Sequence, residues 1–500
     1  MRAASLHRKD LMILADASSH AATQSAHHVP SIVWVTPFAI LLLCIAVFPL
    51  VKKLEHWWHH NSSKLMVAVA LGLVTLAYYS MRDFGSAVHD PFAVQVMESA
   101  GFHIEEHDGH HIAARGAATA VGVLANALME YLPFISLLFS LYVISGGIAI
   151  RGDIPAHPLT NTAFLTIGGV LASVIGTTGA SMLLIRPMLR TNSERRHVVH
   201  TVIFFIFIVS NIGGTLLPIG DPPLFLGYLK GVPFLWTLHL WKEWAFMMVV
   251  LLIVYYIWDT LAYRHESKPN INLDEVRVEP ISIAGKLNFA LLGGVVFATG
   301  TLSPGKPFLG IEGAWEPFPF CRELVQVALV LVSLMITSKA IRKELNFNYA
   351  AILEVACLFI GIFICMQVPI EILNAEGAKL GIDAPWKFFW ATGLLSSVLD
   401  NAPTYVVFFE TANALTHTHV DGETIRLVTG QIIRMDHLVA ISVGAVFMGA
   451  NTYIGNGPNF MVKSIAEHEG VKMPSFFGYM VFSGMVLIPL FVLLTFLFIV

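Results

Sequence analysis

The chain has 500 residues, of which 56% are hydrophobic and only 13% are charged, whereas about 25% are charged in an ordinary soluble domain. Its mean hydropathy of +0.69 cannot come from a single anchor. Because a spanning helix needs roughly 20 apolar residues, the sequence predicts about ten spans in an all-α, polytopic membrane protein. The net charge of −4 is small and says nothing about partners. We expect membrane lipid and a small solute as partners, and no nucleic acid.

The first 116 residues divide into a tail and a first group of helices. Residues 1–31 are polar and are predicted to form an N-terminal tail. The apolar run 32–51 is long enough to span and has no small-residue cleavage site close behind it, so we interpret it as a retained helix. Residues 32–116 are then N-terminal transmembrane helices followed by a long loop.

Residues 117–262 contain two apolar segments that plain spanning helices do not explain. Segment 162–190 has the turn-prone sequence GTTG at 176–179 in its middle, and segment 199–229 contains two clusters rich in glycine and proline. Free backbone groups at membrane depth are tolerated only when they are buried in protein or line a watery cavity. We therefore expect a re-entrant hairpin at 162–190 and a broken helix at 199–229.

After a predicted cytoplasmic linker at 263–286, residues 287–500 repeat this organisation. Segment 386–412 carries DNAPT at 400–404, and the residue before a proline is disfavoured in the helical region. This segment is predicted to be a second re-entrant hairpin, and 436–462 a second broken helix.

The two halves resemble each other at matching positions. A shift of 235 residues places IGDPPLF at 219–225 on IGNGPNF at 454–460 with four identities in seven positions. Shifts of 223 and 221 align the two hairpin tips and the helices before them. Paired broken helices in two halves are a pointer to a transporter's binding site, so the sequence predicts two repeats around one site.

The positions of lysine and arginine indicate an orientation. The loops at one predicted face hold 17 of the 30 Lys and Arg in about 73 residues, and the other face with the tail holds 13 in about 138. Positive side chains favour the cytoplasmic side, so the denser set is assigned to the cytoplasm. The two hairpins then enter a cell inner membrane from opposite faces, which makes the repeats inverted.

Asp400 is the strongest candidate for ion chemistry. A carboxylate inside an apolar segment normally faces a cavity and marks an ion path or proton relay. Ser397, Asn401 and Thr404 add oxygen ligands of the kind that hard cations such as Na⁺ prefer. The alternative is a helix N-cap near the membrane surface. The other candidates lie at the first hairpin tip and the two helix breaks: Thr177, Thr178, Asn211, Thr215, Asp221, Asn451, Thr452 and Asn456.

Other polar features favour neither an enzyme nor a metalloprotein. The histidine groups at 57–60 and 103–111 and the four cysteines lack a recognised ligand spacing, and the histidines are interpreted as hydrophilic, pH-responsive loops. No Walker A sequence or nucleotide fingerprint is present, and no histidine lies near either hairpin tip. We expect no enzymatic activity and no cofactor, with energy taken from an ion gradient.

The motifs NIGGT at 211–215, IGDPP at 219–223 and LDNAPT at 399–404 resemble signatures of the ion transporter superfamily. It includes NhaD-type sodium/proton antiporters, arsenite exporters of the ArsB type, citrate/metal transporters and sodium–dicarboxylate symporters. The resemblance covers roughly residues 120–500 and implies inverted repeats, a homodimer and elevator motion. The Asp-Asn-x-Pro tip is similar to the antiporter and arsenite branches.

Carried over by motif, the resemblance implies that Asp400, Asn401 and Thr404 are ion ligands of the second hairpin. It also implies that the polar residues of the two broken helices line the site. The first hairpin departs from the pattern, because its tip at 176–179 lacks the expected Asn or Asp. One acidic tip therefore remains, and Asp400 with Asn401 is the hypothetical Na⁺ site.

Three functions follow as hypotheses. The leading one is a Na⁺/H⁺ antiporter in which Asp400 alternates between a proton and a cation, since burial disfavours a charged carboxylate. The second is a citrate or dicarboxylate transporter coupled to Na⁺ or H⁺, in which helix N-termini hold the anion. The lack of a clear Arg or Lys at membrane depth argues mildly against it. The third is an arsenite or other oxyanion exporter.

Overall fold

The computed structural model describes residues 29–107, 110–276, 278–311, 313–418 and 422–500. Most of the predicted N-terminal tail therefore lies outside the described residues.

The described chain is mostly helical. The α-helices in chain order are α1 Thr36–Val47, α2 Lys52–Trp58, α3 Asn61–Met81, α4 Pro91–Ser99, α5 Ala117–Ser145, α6 Pro158–Ile175, α7 Thr177–Thr191, α8 Val199–Ile208, α9 Pro222–Leu229, α10 Trp241–Arg264, α11 Lys268–Val276, α12 Leu287–Thr301, α13 Cys321–Ile336, α14 Lys339–Glu344, α15 Ala350–Cys365, α16 Gln367–Glu376, α17 Pro385–Val398, α18 Asn401–Thr418, α19 Met435–Met448, α20 Gly457–His468 and α21 Phe476–Leu494.

Short strands pair in the loops, which an all-α expectation does not include. They are β1 Ser86–Val88, β2 Ile104–His107, β3 His110–Ala113, β4 Ala149–Asp153, β5 Glu279–Ala284, β6 Thr424–Arg426 and β7 Ile432–Arg434. All pairs are antiparallel, in the orders β1-β3-β2, β4-β5 and β6-β7. The histidine-rich segment is thus partly a small sheet, although residues 108 and 109 lie outside the described part of the chain.

Several helices are long and apolar enough to cross a membrane. Among the described residues these are Asn61–Met81, Ala117–Ser145, Pro158–Ile175, Phe234–Arg264 and Phe476–Ile499. The pair Ala350–Cys365 and Gln367–Glu376, bent by 40°, is a sixth if the two halves form one span. The longest α-helix among the described residues, Ala117–Ser145, has 29 residues and continues through Pro133. Shorter apolar helices supply the other predicted segments.

Four breaks interrupt apolar segments where the sequence predicts them. Gly176 separates α6 from α7 and has φ +80°, a conformation that glycine adopts at little cost. Leu399 and Asp400 separate α17 from α18. The other two breaks contain a short 3₁₀ turn, Ile212–Thr215 before α9 and Gly449–Asn451 before α20. Each break ends where a new helix begins.

The helices form two packed groups. One surrounds α5, which packs against α3, α12, α13 and α15; Phe134 of α5 stacks on Phe359 of α15 with ring centroids 4.8 Å apart. The other group contains the four breaks: α6 packs on α7, α17 on α19, α9 on α18, and α20 on α7. Helices from both halves of the chain therefore enclose the breaks.

Ion pairs and strand pairing hold distant loops together. The β4 strand pairs with β5 in the 263–286 linker, and Arg151 in β4 contacts Glu344 after α13 at 2.7 Å. The Arg151 guanidinium holds the pKa of the Glu344 carboxyl below its usual value. Lys64 pairs with Glu354 at 2.7 Å. The segments that contain β4, β5 and α14 belong to the set of loops that is richer in lysine and arginine.

Candidate functional site

Four helices begin at the meeting point of the four breaks. They are α7 at Thr177, α9 at Pro222, α18 at Asn401 and α20 at Gly457. Pro222 and Pro458 occupy the first turns of α9 and α20, where a missing N–H costs nothing because it would have no helical partner. The sequence thus starts new helices at the site and directs their N-termini toward it.

Asp221 lies at the centre of the candidate site. It is 1% exposed and accepts three hydrogen bonds from neutral side chains: from Asn401 Nδ2 at 2.6 Å, from Thr177 Oγ1 at 2.8 Å and from Asn456 Nδ2 at 2.9 Å. These donors come from both hairpin tips and from the second helix break. No salt bridge to Asp221 is present among the described side chains. The sequence ranked this residue below Asp400, and the structure puts it at the centre.

Asp400 lies beside Asp221 and is half-buried. Its Oδ1 accepts a hydrogen bond from the backbone N–H of Ala402 at 3.2 Å, and its backbone carbonyl accepts one from Thr404 Oγ1 at 3.0 Å. The side chain therefore caps the start of α18, which is the structural alternative that the sequence left open. Capping through one oxygen leaves the other carboxylate oxygen able to receive a cation or a proton.

A chain of amides links the two broken helices. Asn211 donates to Asn459 Oδ1 at 2.7 Å, and Asn456 donates to Asn211 Oδ1 at 3.3 Å. Asn459 in turn donates to the carbonyls of Gly449 and Thr452. Asn459 is central to this chain of amides although it is not among the residues predicted from the sequence; its place in an asparagine-rich break was the available signal.

A second polar cluster joins α17 to the second break. Asn451 Nδ2 donates to Ser397 Oγ at 2.9 Å, Thr452 Oγ1 donates to the Ser397 carbonyl at 2.6 Å, and Ser397 Oγ donates to the Met448 carbonyl at 3.1 Å. All three residues are buried. The sequence placed them in one site on motif grounds, and the structure brings them into contact.

Two buried amide oxygens in the site have no hydrogen-bond partner among the described residues. They are Asn401 Oδ1 and Asn451 Oδ1, and the two residues are 0% and 7% exposed. Buried polar atoms in proteins are almost always paired, so each of these oxygens is available to a ligand. Amide and carboxylate oxygens are the donors that a hard cation prefers.

Two predicted residues have smaller roles. Thr215 is buried and its hydroxyl donates to the Ile212 carbonyl at 2.7 Å, which closes a local turn. Thr178 is half-buried in the first turn of α7. Neither contacts Asp221 through a recorded hydrogen bond.

Equivalent contacts recur in the two halves. Ser173 Oγ donates to the Gly213 carbonyl at 2.5 Å, and Ser396, which the shift of 223 pairs with Ser173, donates to the Ala445 carbonyl at 2.7 Å. Gly214 and Gly449 are 235 residues apart in sequence, as are Gly220 and Gly455. A Cβ at Gly220 would collide with the Gly214 carbonyl, and one at Gly455 would collide with the Gly449 carbonyl. The same shift relates Asp221 to Asn456, which hydrogen-bond to each other.

Buried charges outside the site were not recognised from sequence. Asp259 is 0% exposed and accepts from Arg195 at 2.6 Å and from His200 Nε2 at 2.8 Å. Lys230 lies between Glu130 and Glu410, with its Nζ 2.8 Å from Glu130 Oε1 and 2.9 Å from Glu410 Oε1. Partners so far apart in sequence carry no local signal. Among the described residues no group of three His, Cys, Asp or Glu could hold a metal ion.

Apolar helices that pack around buried, polar helix breaks define a multi-pass membrane protein. The family model described as "Putative citrate transport" matches residues 26–104 and 109–499. The chain belongs to this family, which confirms the resemblance to the ion transporter superfamily and its citrate transporter relatives. It is therefore a secondary transporter. No curated protein matches the chain.

Proposed function

We propose that the chain exchanges Na⁺ or Li⁺ for protons by alternating access, at a site made of Asp221, Asp400 and the oxygens of Asn401 and Asn451. The observation that carries the proposal is the environment of Asp221, which is buried and surrounded by neutral donors. An unpaired carboxylate charge is costly to bury. The three donors stabilise the Asp221 carboxylate but leave its charge uncompensated, so the site favours either a cation or a proton at the neighbouring Asp400, which is the coupling that an antiporter needs.

The proposal assigns different tasks to the two carboxylates. Asp221 has its oxygens occupied by three donors and organises the site, whereas Asp400 and the free amide oxygens offer places for an incoming cation. The matched contacts in the two halves support an inverted repeat with hairpins at 162–190 and 386–412. An inverted repeat gives two related conformations that open to opposite faces.

Purified protein in liposomes with an internal pH dye tests the proposal. An imposed Na⁺ gradient should move protons in the wild type, and Asp400→Asn and Asp221→Asn should each reduce exchange by roughly a hundredfold, as expected when a group essential to each cycle is removed. Asp383→Asn is the matched control, because Asp383 is an exposed acid paired with Lys387 far from the site. Unchanged exchange in both site variants would contradict the mechanism.

The family membership favours a second candidate, a citrate or dicarboxylate transporter coupled to Na⁺ or H⁺. Four helix N-termini meet at the site, and helix N-termini bind anions. In this case Asp400 holds the coupling cation and the citrate lies against the N-termini. Labelled citrate should then enter the same liposomes saturably under a Na⁺ or proton gradient. No citrate uptake under either gradient, together with intact Na⁺/H⁺ exchange, would remove this candidate.

A further inference from the structure

A cluster of three charged side chains lies away from the site. Lys230, just after α9, has its Nζ 2.8 Å from Glu130 Oε1 of α5 and 2.9 Å from Glu410 Oε1 of α18. The side chains of Lys230, Glu130 and Glu410 are 17%, 22% and 7% exposed. We call these residues the Lys230 cluster. It carries one positive and two negative charges when all three groups are ionised.

The Lys230 cluster is connected to the site through two helices. The α9 helix begins after Asp221 and ends before Lys230, and α18 begins at Asn401 and contains Glu410. Lys230 is nine positions after Asp221, and Glu410 is nine positions after Asn401, which in each case is about 13 Å of helix. Since α9 packs on α18 and Asn401 donates to Asp221, these two helices are joined at both ends.

The two ion pairs of the cluster differ in what they connect. The Lys230–Glu410 pair lies within the joined helices α9 and α18. The Lys230–Glu130 pair connects them to α5, which carries none of the site residues and packs in the other helix group. Glu130 is also the more exposed of the two acids, because its side chain is 22% exposed and that of Glu410 is 7% exposed.

We propose that the Glu130–Lys230 pair is a releasable contact that holds α9 and α18 against α5 in one access state and separates in each transport cycle, while Lys230–Glu410 persists. The proposal rests on the proposed transport function, because alternating access requires two states in which helix groups make different contacts. Breaking a buried ion pair usually leaves an unpaired charge. Here Lys230 keeps Glu410 as a partner, and Glu130 is the acid best placed to be hydrated.

Cross-linking tests which contact opens. In a background with serine at the four native cysteines, Glu130→Cys/Lys230→Cys and Glu410→Cys/Lys230→Cys are treated with a short, reversible bis-thiosulfonate reagent in liposomes. The 130/230 cross-link should reduce transport by roughly tenfold or more, with recovery on reduction, and the 410/230 cross-link should not. Transport that survives the 130/230 cross-link, or is lost equally with both cross-links, would overturn the proposal.

A second measurement needs no identified solute. Ala402→Cys, 0% exposed at the start of α18, reports access to the site through its labelling by a membrane-impermeant thiol reagent added to either face. Glu130→Gln should change the ratio of the two labelling rates by about threefold or more, and Glu376→Gln, at an exposed acid paired with Lys379, should not. An unchanged ratio in Glu130→Gln, or no labelling from either face, would overturn the proposal. A changed ratio in a protein that transports none of the tested solutes would count against the proposed function alone.

Discussion

Asp221 and Asn456 occupy equivalent positions in the two helix breaks and hydrogen-bond directly, with Asn456 Nδ2 2.9 Å from Asp221 Oδ1. If the site needs one carboxylate at this point, exchanging the two residue types by mutation moves the carboxylate from position 221 to its hydrogen-bond partner at position 456. Asp221→Asn should reduce cation–proton exchange by roughly a hundredfold. Adding Asn456→Asp to it should recover roughly tenfold in rate over the single variant, because the carboxylate remains within the same buried cluster.

Exchange in liposomes and thermal unfolding of the purified variants measure these effects. The unfolding temperature separates loss of function from loss of folding, and Asn456→Asp alone, with two adjacent buried acids, should be the least stable of the set. A double variant no faster than Asp221→Asn would show that the position of the carboxylate is itself essential.

The sequence located the residues of the candidate site, but it ranked Asp221 below Asp400 and so did not predict which residue lies at the centre. Ser397, Asp400 and Asn401 were recognisable because polar, turn-prone residues interrupt an apolar run. The central place of Asp221 depends on contacts with residues 180 and 235 positions away, and no local pattern records such contacts. Lys230 was missed for the same reason, since its partners Glu130 and Glu410 come from two other helices.

Glycines in the helix breaks set how closely the backbone segments approach. A Cβ at Gly220 would meet the Gly214 carbonyl, whereas a Cβ at Gly457, in the first turn of α20, would have no atom within 4 Å. Gly220→Ala should therefore destabilise the protein by about 1–3 kcal/mol through overpacking and reduce transport. Gly457→Ala should be neutral or slightly stabilising, since alanine favours a helix by up to about 1 kcal/mol over glycine.

Thermal unfolding in detergent, with exchange in liposomes, compares the two alanine variants directly. Equal stability of the two would mean that the backbone at Gly220 can move apart without cost. A lower unfolding temperature for Gly457→Ala than for Gly220→Ala would contradict the prediction that the close backbone approach is at Gly220.

At the scale of elements, the breaks were predictable and the loop strands were not. Glycine and proline in an apolar run have a direct local effect on the helix, so the breaks between α6 and α7 and between α17 and α18 fall within the predicted segments. The β4 and β5 strands are about 130 residues apart and pair with each other. Short polar segments of this kind have no periodicity that distinguishes them from unpaired loops.

At the scale of the whole molecule, helix α5 connects two ends that carry different loop strands. This helix runs from the β1–β3 sheet, just before Ala117, to β4, just after Ser145, and its 29 residues span about 43 Å. The linker strand β5 lies at the β4 end. The β6–β7 hairpin lies beside the loop after α9, where the Val428 N–H donates to the Gly231 carbonyl at 2.8 Å. The assignment of loops by lysine and arginine content predicts that the β4–β5 pair and the β6–β7 hairpin lie on opposite sides of the membrane.

The lysine- and arginine-rich loops predict which side is which. Glu279 in β5 and Glu423 before β6 are both exposed, so Glu279→Cys and Glu423→Cys in the cysteine-free background should both leave the fold intact. A membrane-impermeant maleimide should label Glu423→Cys in intact cells and Glu279→Cys only in inverted vesicles, because the β4–β5 end carries the excess of positive charge that is retained in the cytoplasm. The opposite pattern would reverse the orientation while leaving the site geometry unchanged. Labelling of both variants from the same face would instead contradict the predicted placement of the β4–β5 pair and the β6–β7 hairpin on opposite sides of the membrane. It would also contradict the odd number of membrane crossings that this placement requires between residues 279 and 423.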